Sequence, residues 1–156
     1  AGYGGGVLFM PFPPESAAYK YGNQGRILTF KLDGTAPPVP APRVEAAFPQ
    51  PPARESAELV PQGELLYSRF CSRCHAFGRA LLPDLRRLSP ATHQLFYDIV
   101  LAGIYQGKGM ARWDDVLSRR DAQAIHAYLV DQAWQAYAVG RSSAPPDAKA
   151  PVSQTH

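Results

Sequence analysis

Cysteine is scarce. The 156-residue chain has two, Cys71 and Cys74, so neither a multi-disulfide framework nor a four-cysteine metal site can be built from it. Methionine is equally rare, at Met10 and Met110. No apolar run approaches the ~20 residues that a membrane-spanning helix needs. Charge of one sign is not concentrated anywhere. The 16 basic and 13 acidic residues leave a net +3, and the arginines are dispersed. That balance makes no case for nucleic-acid binding. No signal peptide opens the chain, which reads as a mature form or a fragment.

What is present is compact and specific. Cys71-Ser72-Arg73-Cys74-His75 places two thiols two residues apart with an imidazole directly after them. This is the attachment signature of c-type haem: the thiols add to the two vinyl groups of one porphyrin, and the histidine falls beneath the iron as an axial ligand. Three other readings compete. A Cys-x-x-Cys pair can be half of a zinc site, but no second pair exists, and His75, His93, His126 and His156 show no ligand-pair spacing. A thioredoxin-like redox pair needs a strand-helix-strand pattern that the flanks do not show. The third is a fortuitous pair.

A second iron ligand is offered by Met110 in Gly107-Lys108-Gly109-Met110-Ala111-Arg112-Trp113. A thioether is a soft donor, and a His/Met pair raises the reduction potential of haem iron. The adjacent glycines permit a tight loop that brings a side chain over a flat ring. Otherwise Met110 fills a core gap. Met10, in a segment rich in proline and glycine, is expected to serve packing. His93 and His126 fall in predicted helices and are expected to be surface or satisfied core histidines. With both axial positions filled there is no open site for substrate, and no catalytic residue is assigned.

From Val60 to Tyr137 the chain resembles a class I bacterial cytochrome c domain, with the pieces in the family's order. Gly63-x-x-x-Tyr67-x-x-x-Cys71 looks like the first helix running into the haem motif. Leu82-Pro83-Asp84-Leu85 resembles the following segment, and the resemblance implies that the Pro83 carbonyl accepts a hydrogen bond from the proximal histidine. Gly109 to Trp113 resembles the distal loop, with Ala111 where the family often has proline. Ile125-x-x-Tyr128-Leu129 resembles the last helix, which packs on the first.

Periodicity predicts the same helices. Leu65, Leu66 and Phe70, with Tyr67 beside them, give Pro61–Phe70 an apolar stripe. Ser89-Pro90 opens a helix over Ala91–Leu101, with Leu95, Phe96, Ile99 and Val100 on its face and Gly103 closing it. Ser118-x-x-Asp121 is a capping-box start for a helix to about Val139, faced by Ala122, Ile125, Leu129, Ala133 and Tyr137. The expected fold is an all-α domain, three main helices around one covalent haem c. A domain of about 80 residues is marginal for a core alone, and the haem would supply an apolar centre.

The first 60 residues differ. Gly25 to Gly34 alternates apolar and polar side chains and ends in Asp-Gly, which predicts one β-strand and a turn. Ala36 to Pro42 and Pro49 to Pro52 read as an extended, semi-rigid linker. The expected divisions are a strand segment over 1–35, the linker over 36–59, the cytochrome domain over 60–140 and a disordered tail over 141–156. Strand, linker and cytochrome domain in this order are similar to the carboxyl-terminal part of the quinohaemoprotein alcohol dehydrogenases. The alternative is a free-standing cytochrome. The resemblance implies that the strand ends a β-propeller holding pyrroloquinoline quinone and calcium, neither of which has binding residues in this chain. It further implies a periplasmic location and a relay in which reduced quinone cofactor supplies electrons and a quinone, a copper protein or another cytochrome takes them. Arg86-Arg87 and Arg119-Arg120 could steer an acidic partner or pair with a propionate, though such charges more often form a solvated face.

Overall fold

The computed structural model describes residues 11–22, 31–35, 41–80 and 82–142. Four α-helices occur among them: α1 Ala17–Tyr21, α2 Val60–Phe70, α3 Pro90–Gln94 and α4 Arg119–Ser142. Short 3₁₀ turns at Ala57–Leu59, Leu85–Arg87 and Gln106–Lys108 connect or extend them.

The two long helices, α2 and α4, form the frame. Their crossing depends on Gly63. A Cβ built on it would stand 1.9 Å from the Ala124 carbonyl oxygen and 2.8 Å from the Tyr128 Cβ, so only glycine lets the backbones approach this closely. The buried stripe of α2 is Gly63 and Tyr67, with Leu66 and Phe70 half-buried, spaced at i, i+3, i+4 and i+7. Leu65, expected on that face, is 73% exposed. On α4, Ala122, Ile125, Leu129 and Ala133 are buried as expected, and the helix continues three residues past Val139, which is itself exposed. Its start is the predicted capping box: Asp121 N donates to Ser118 Oγ at 3.2 Å and Ser118 N donates to Asp121 Oδ2 at 3.0 Å.

The helix expected over Ala91–Leu101 is not continuous, so the count of three main helices does not hold. Ser89 caps it through Thr92 N, but the α-helix stops at Gln94, and Leu95 sits in a turn with 41% exposure. The chain resumes as a wider π-helical turn over Asp98–Ala102 that Gly103 closes by donating to the Asp98 carbonyl. Phe96, Ile99 and Val100 are buried, while Leu95, in the turn that ends α3, is exposed.

Of the strand expected over Gly25–Gly34, residues 25–30 lie outside the described residues. Lys31 to Gly34 forms a turn in which Gly34 N donates to the Lys31 carbonyl at 3.2 Å, with Asp33 at φ 63°, where the Asp-Gly turn was expected. No strand occurs among the described residues. Met10, the residues of 36–40 and the tail from 143 onward also lie outside the described residues.

The proline-rich segment from 41 to 56 lies along the helical unit and is bonded to it repeatedly. Arg87 Nη1 donates to the Ala46 carbonyl at 2.7 Å, and its guanidinium stands 3.7 Å from the Phe48 ring centroid. Arg79 Nη2 donates to the Arg43 carbonyl and Arg79 Nε pairs with Glu45. Trp134 Nε1 donates to the Pro52 carbonyl at 2.8 Å, and Arg54 pairs with Asp131. Proline carbonyls remain free to accept, so the segment satisfies its backbone against side chains of the helices. Arg79 Nη1 also holds the Tyr19 carbonyl at 2.6 Å, which ties α1 to the same face.

Candidate haem site

The end of α2 sets the first ligands. Cys71 and Cys74 are free thiols, with Cys71 half-buried and Cys74 exposed. The turn that carries them is closed by Cys74 N and His75 N, both donating to the Cys71 carbonyl, at 3.1 and 2.9 Å. Tyr67 Oη donates to the His75 carbonyl and anchors the turn from behind. Burial, then the neighbouring Cys71 and Asp84 charges, pushes the Tyr67 phenol well above its usual range, so it stays a donor.

Burial, then the nearby Cys74, pushes the Cys71 thiol up to about 12.

His75 Nδ1 lies 3.0 Å from the Pro83 carbonyl oxygen. A carbonyl only accepts, so Nδ1 carries the proton and Nε2 keeps its lone pair. The nitrogen left free is the one a metal would take, with the other oriented by an outer hydrogen bond.

Met110 follows Gly109, which adopts φ 88°, a conformation costly for any residue with a Cβ. Met110 N donates to the Tyr105 carbonyl at 3.2 Å, and Trp113 N donates to the Val100 carbonyl at 3.0 Å, which closes the loop onto the π-helical turn. Met110 packs against the same buried cluster as Cys71, the group that includes Phe96, Val100, Ile125 and Leu129. The fold thus brings Cys71 and Met110 to one apolar centre, while Cys74 stays exposed. Free thiols in the attachment spacing, an imidazole with Nε2 available and a half-buried thioether fit a covalently held haem c.

A cavity of about 390 Å³ opens beside α2, lined by Glu64, Tyr67, Ser68, Ser72, Phe77 and Tyr128. Cys71, Cys74, His75 and Met110 do not line it, so it is distinct from the ligand set.

Two features had no sequence signal. His93 Nδ1 and His126 Nε2 share a hydrogen bond at 2.8 Å between two half-buried rings. Asp84 is buried to 8% exposure and holds Arg86. Arg86 pairs with Asp84 and Arg87 with Glu45, whereas Arg119 and Arg120 are exposed, Arg119 with its guanidinium 4.4 Å from the Tyr97 ring.

Residues 58–129 match the family described as cytochrome c oxidase, cbb3-type, subunit III. Quinohaemoprotein alcohol dehydrogenase ADH IIB of Pseudomonas putida is 39% identical over 129 residues, which are 79% of this chain and 19% of that protein. The dehydrogenase subunit of the alcohol dehydrogenase (quinone) of Komagataeibacter europaeus is 31% identical over 120 residues, 74% of this chain and 16% of that subunit. The solved structure of quinohaemoprotein alcohol dehydrogenase ADH-IIG of P. putida superposes with a TM-score of 0.58 at 35% identity, covering 67% of this chain and 16% of that one. The chain thus spans under a fifth of the length of these relatives. No helix among the described residues is long and apolar enough to cross a membrane. Motif, helix packing and relatives converge: the chain carries a cytochrome c domain, of the haem c-binding kind found in the carboxyl-terminal part of quinohaemoprotein alcohol dehydrogenases.

Proposed function

We propose that this chain relays single electrons through one haem c attached at Cys71 and Cys74, with His75 and Met110 as axial ligands and Pro83 orienting His75. The observation that carries the reading is the 3.0 Å contact from His75 Nδ1 to the Pro83 carbonyl beside the two free thiols. Bound haem c supplies reversible one-electron chemistry at its iron. Cys71 and Cys74 would fix its position, His75 and Met110 would hold its iron and leave no place there for substrate, and the buried cluster that Cys71 and Met110 pack against would keep water away.

The relatives support a donor and an acceptor. The donor is reduced pyrroloquinoline quinone in a calcium-containing propeller portion or subunit, in the periplasm. The acceptor is a quinone, a copper protein or another cytochrome. Alcohol oxidation takes place in the propeller, and this chain contributes no catalytic residue to it. A donor portion joined to this one would act at high effective concentration.

The test is stopped-flow reduction of the native holoprotein by a primary alcohol in the presence of pyrroloquinoline quinone and calcium. Haem reduction at a rate independent of protein concentration is expected. Reduction only by an added partner, at a rate proportional to that partner's concentration, would establish a free-standing periplasmic cytochrome instead.

A further inference from the structure

Between His75 and Pro83 the chain makes a loop, and one buried carboxylate ties its two ends. Asp84 Oδ2 accepts from Gly78 N at 2.8 Å, on the histidine side. Asp84 Oδ1 accepts from Arg86 N at 3.0 Å, on the proline side. Arg86 completes the knot with Nε at 3.0 and 3.2 Å and Nη2 at 2.6 Å. The guanidinium is itself held between rings, 4.6 Å from the Phe77 centroid and 5.3 Å from Phe48 on the strap from 41 to 56.

Burial alone would raise the Asp84 carboxyl, but the hydrogen bonds from the Arg86 side chain, Gly78 N and Arg86 N outweigh it and hold it below the usual range. A buried ion pair is a poor source of stability, because desolvation offsets most of the attraction. What such a pair provides is geometry, since a planar fork on a carboxylate leaves little freedom. The atom whose position it fixes is the neighbouring Pro83 carbonyl, the acceptor for His75 Nδ1.

We propose that Asp84 and Arg86 are positioning residues for the proximal ligand: by clamping Gly78 to the backbone after Pro83 they keep the Pro83 carbonyl on His75 Nδ1, and so set the basicity of the iron-binding imidazole. A firm Nδ1–H···O bond enriches the imidazole and favours the ferric state, which lowers the reduction potential, and a loosened one raises it. This inference rests on His75 being the haem ligand.

The decisive variant is Arg86→Lys in the holoprotein. It keeps the charge but loses the fork and the stacking on Phe77 and Phe48. The expected result is exchange of the His75 Nδ1 proton with solvent, followed by NMR in the ferrous state, faster by about fivefold or more, as for the loss of one ordinary hydrogen bond. A more positive midpoint potential accompanies it. Asp84→Asn and Arg86→Gln separate positioning from charge. Positioning raises the potential in both. Charge alone raises it in the first and lowers it in the second. Opposite shifts with unchanged proton exchange would overturn the proposal, as would a lowered melting temperature with neither readout moved. If Arg86→Lys fails to fold, the Asp84→Asn and Arg86→Gln pair decides by sign. A wild-type protein that takes up no haem would sink the proximal-ligand reading itself, whereas a low-spin wild type indistinguishable from Arg86→Lys would sink this inference alone.

Discussion

Gly63 lies so close to Ala124 that a single added methyl would stand 1.9 Å from the Ala124 carbonyl oxygen. Backbone cannot yield as a flexible side chain does, so α2 and α4 would have to separate. Gly63→Ala should destabilise the domain by about 3 kcal/mol or more, the upper range for overpacking. Denaturant unfolding followed by circular dichroism checks this, and a loss under 1 kcal/mol, on the same scale, would mean that the crossing is looser than described.

The strap gives a second prediction. Trp134→Phe keeps the ring under Arg54 but removes the donor to the Pro52 carbonyl, a loss of about 1 kcal/mol. Arg87→Gln removes the contacts to Glu45, Ala46 and Phe48. The double variant should be cut by protease between 41 and 56 far sooner than the wild type, while the helical core stays intact. Cleavage at equal rates would mean that the strap is not held by these residues.

His126 predicts acid sensitivity. Burial, then the neighbouring His93, pulls its pKa from 6.5 to about 4. The folded state therefore binds fewer protons than the unfolded chain between these values. Stability is full above pH 6.5 and declines as pH falls toward 4, with a slope of at most about 1.4 kcal/mol per unit that partial solvent exposure reduces. Unfolding free energies measured at pH 7 and pH 5 should differ in that sense. His126→Gln should flatten the difference without abolishing it, because burial also lowers His93. An unchanged slope in His126→Gln would place the acid sensitivity elsewhere.

How much of this was legible in the sequence depended on range. Cys71 to His75, the Ser89 cap and the Ser118–Asp121 box are local, and each is decided within a few residues. The tight turn before Met110, with Gly109 at φ 88°, was legible from its glycines. The break at Leu95 was not, because the apolar spacing of Leu95, Phe96, Ile99 and Val100 runs through it unchanged. The His93–His126 bond, the Trp134–Pro52 bond and the Arg87–Phe48 contact each join residues more than thirty positions apart, for which no local pattern exists. The Asp84–Arg86 knot is local, yet its composition is that of any surface Asp-x-Arg. Burial gives it significance, and burial came from the fold. The alternation over Gly25 to Gly34 spoke for a strand, and its residues 25–30 lie outside the described residues.

Whether His75 and Met110 ligate one covalent haem c is decided by an optical spectrum of the holoprotein, oxidised and then dithionite-reduced, for wild type and Met110→Ala. The expected result is a sharp reduced α-band in the wild type and a weak far-red band in its oxidised form, with the far-red band lost in Met110→Ala while haem stays attached through Cys71 and Cys74. A wild-type spectrum that is high-spin and responds to carbon monoxide, or one with no haem bands from a host competent in cytochrome c maturation, would contradict it.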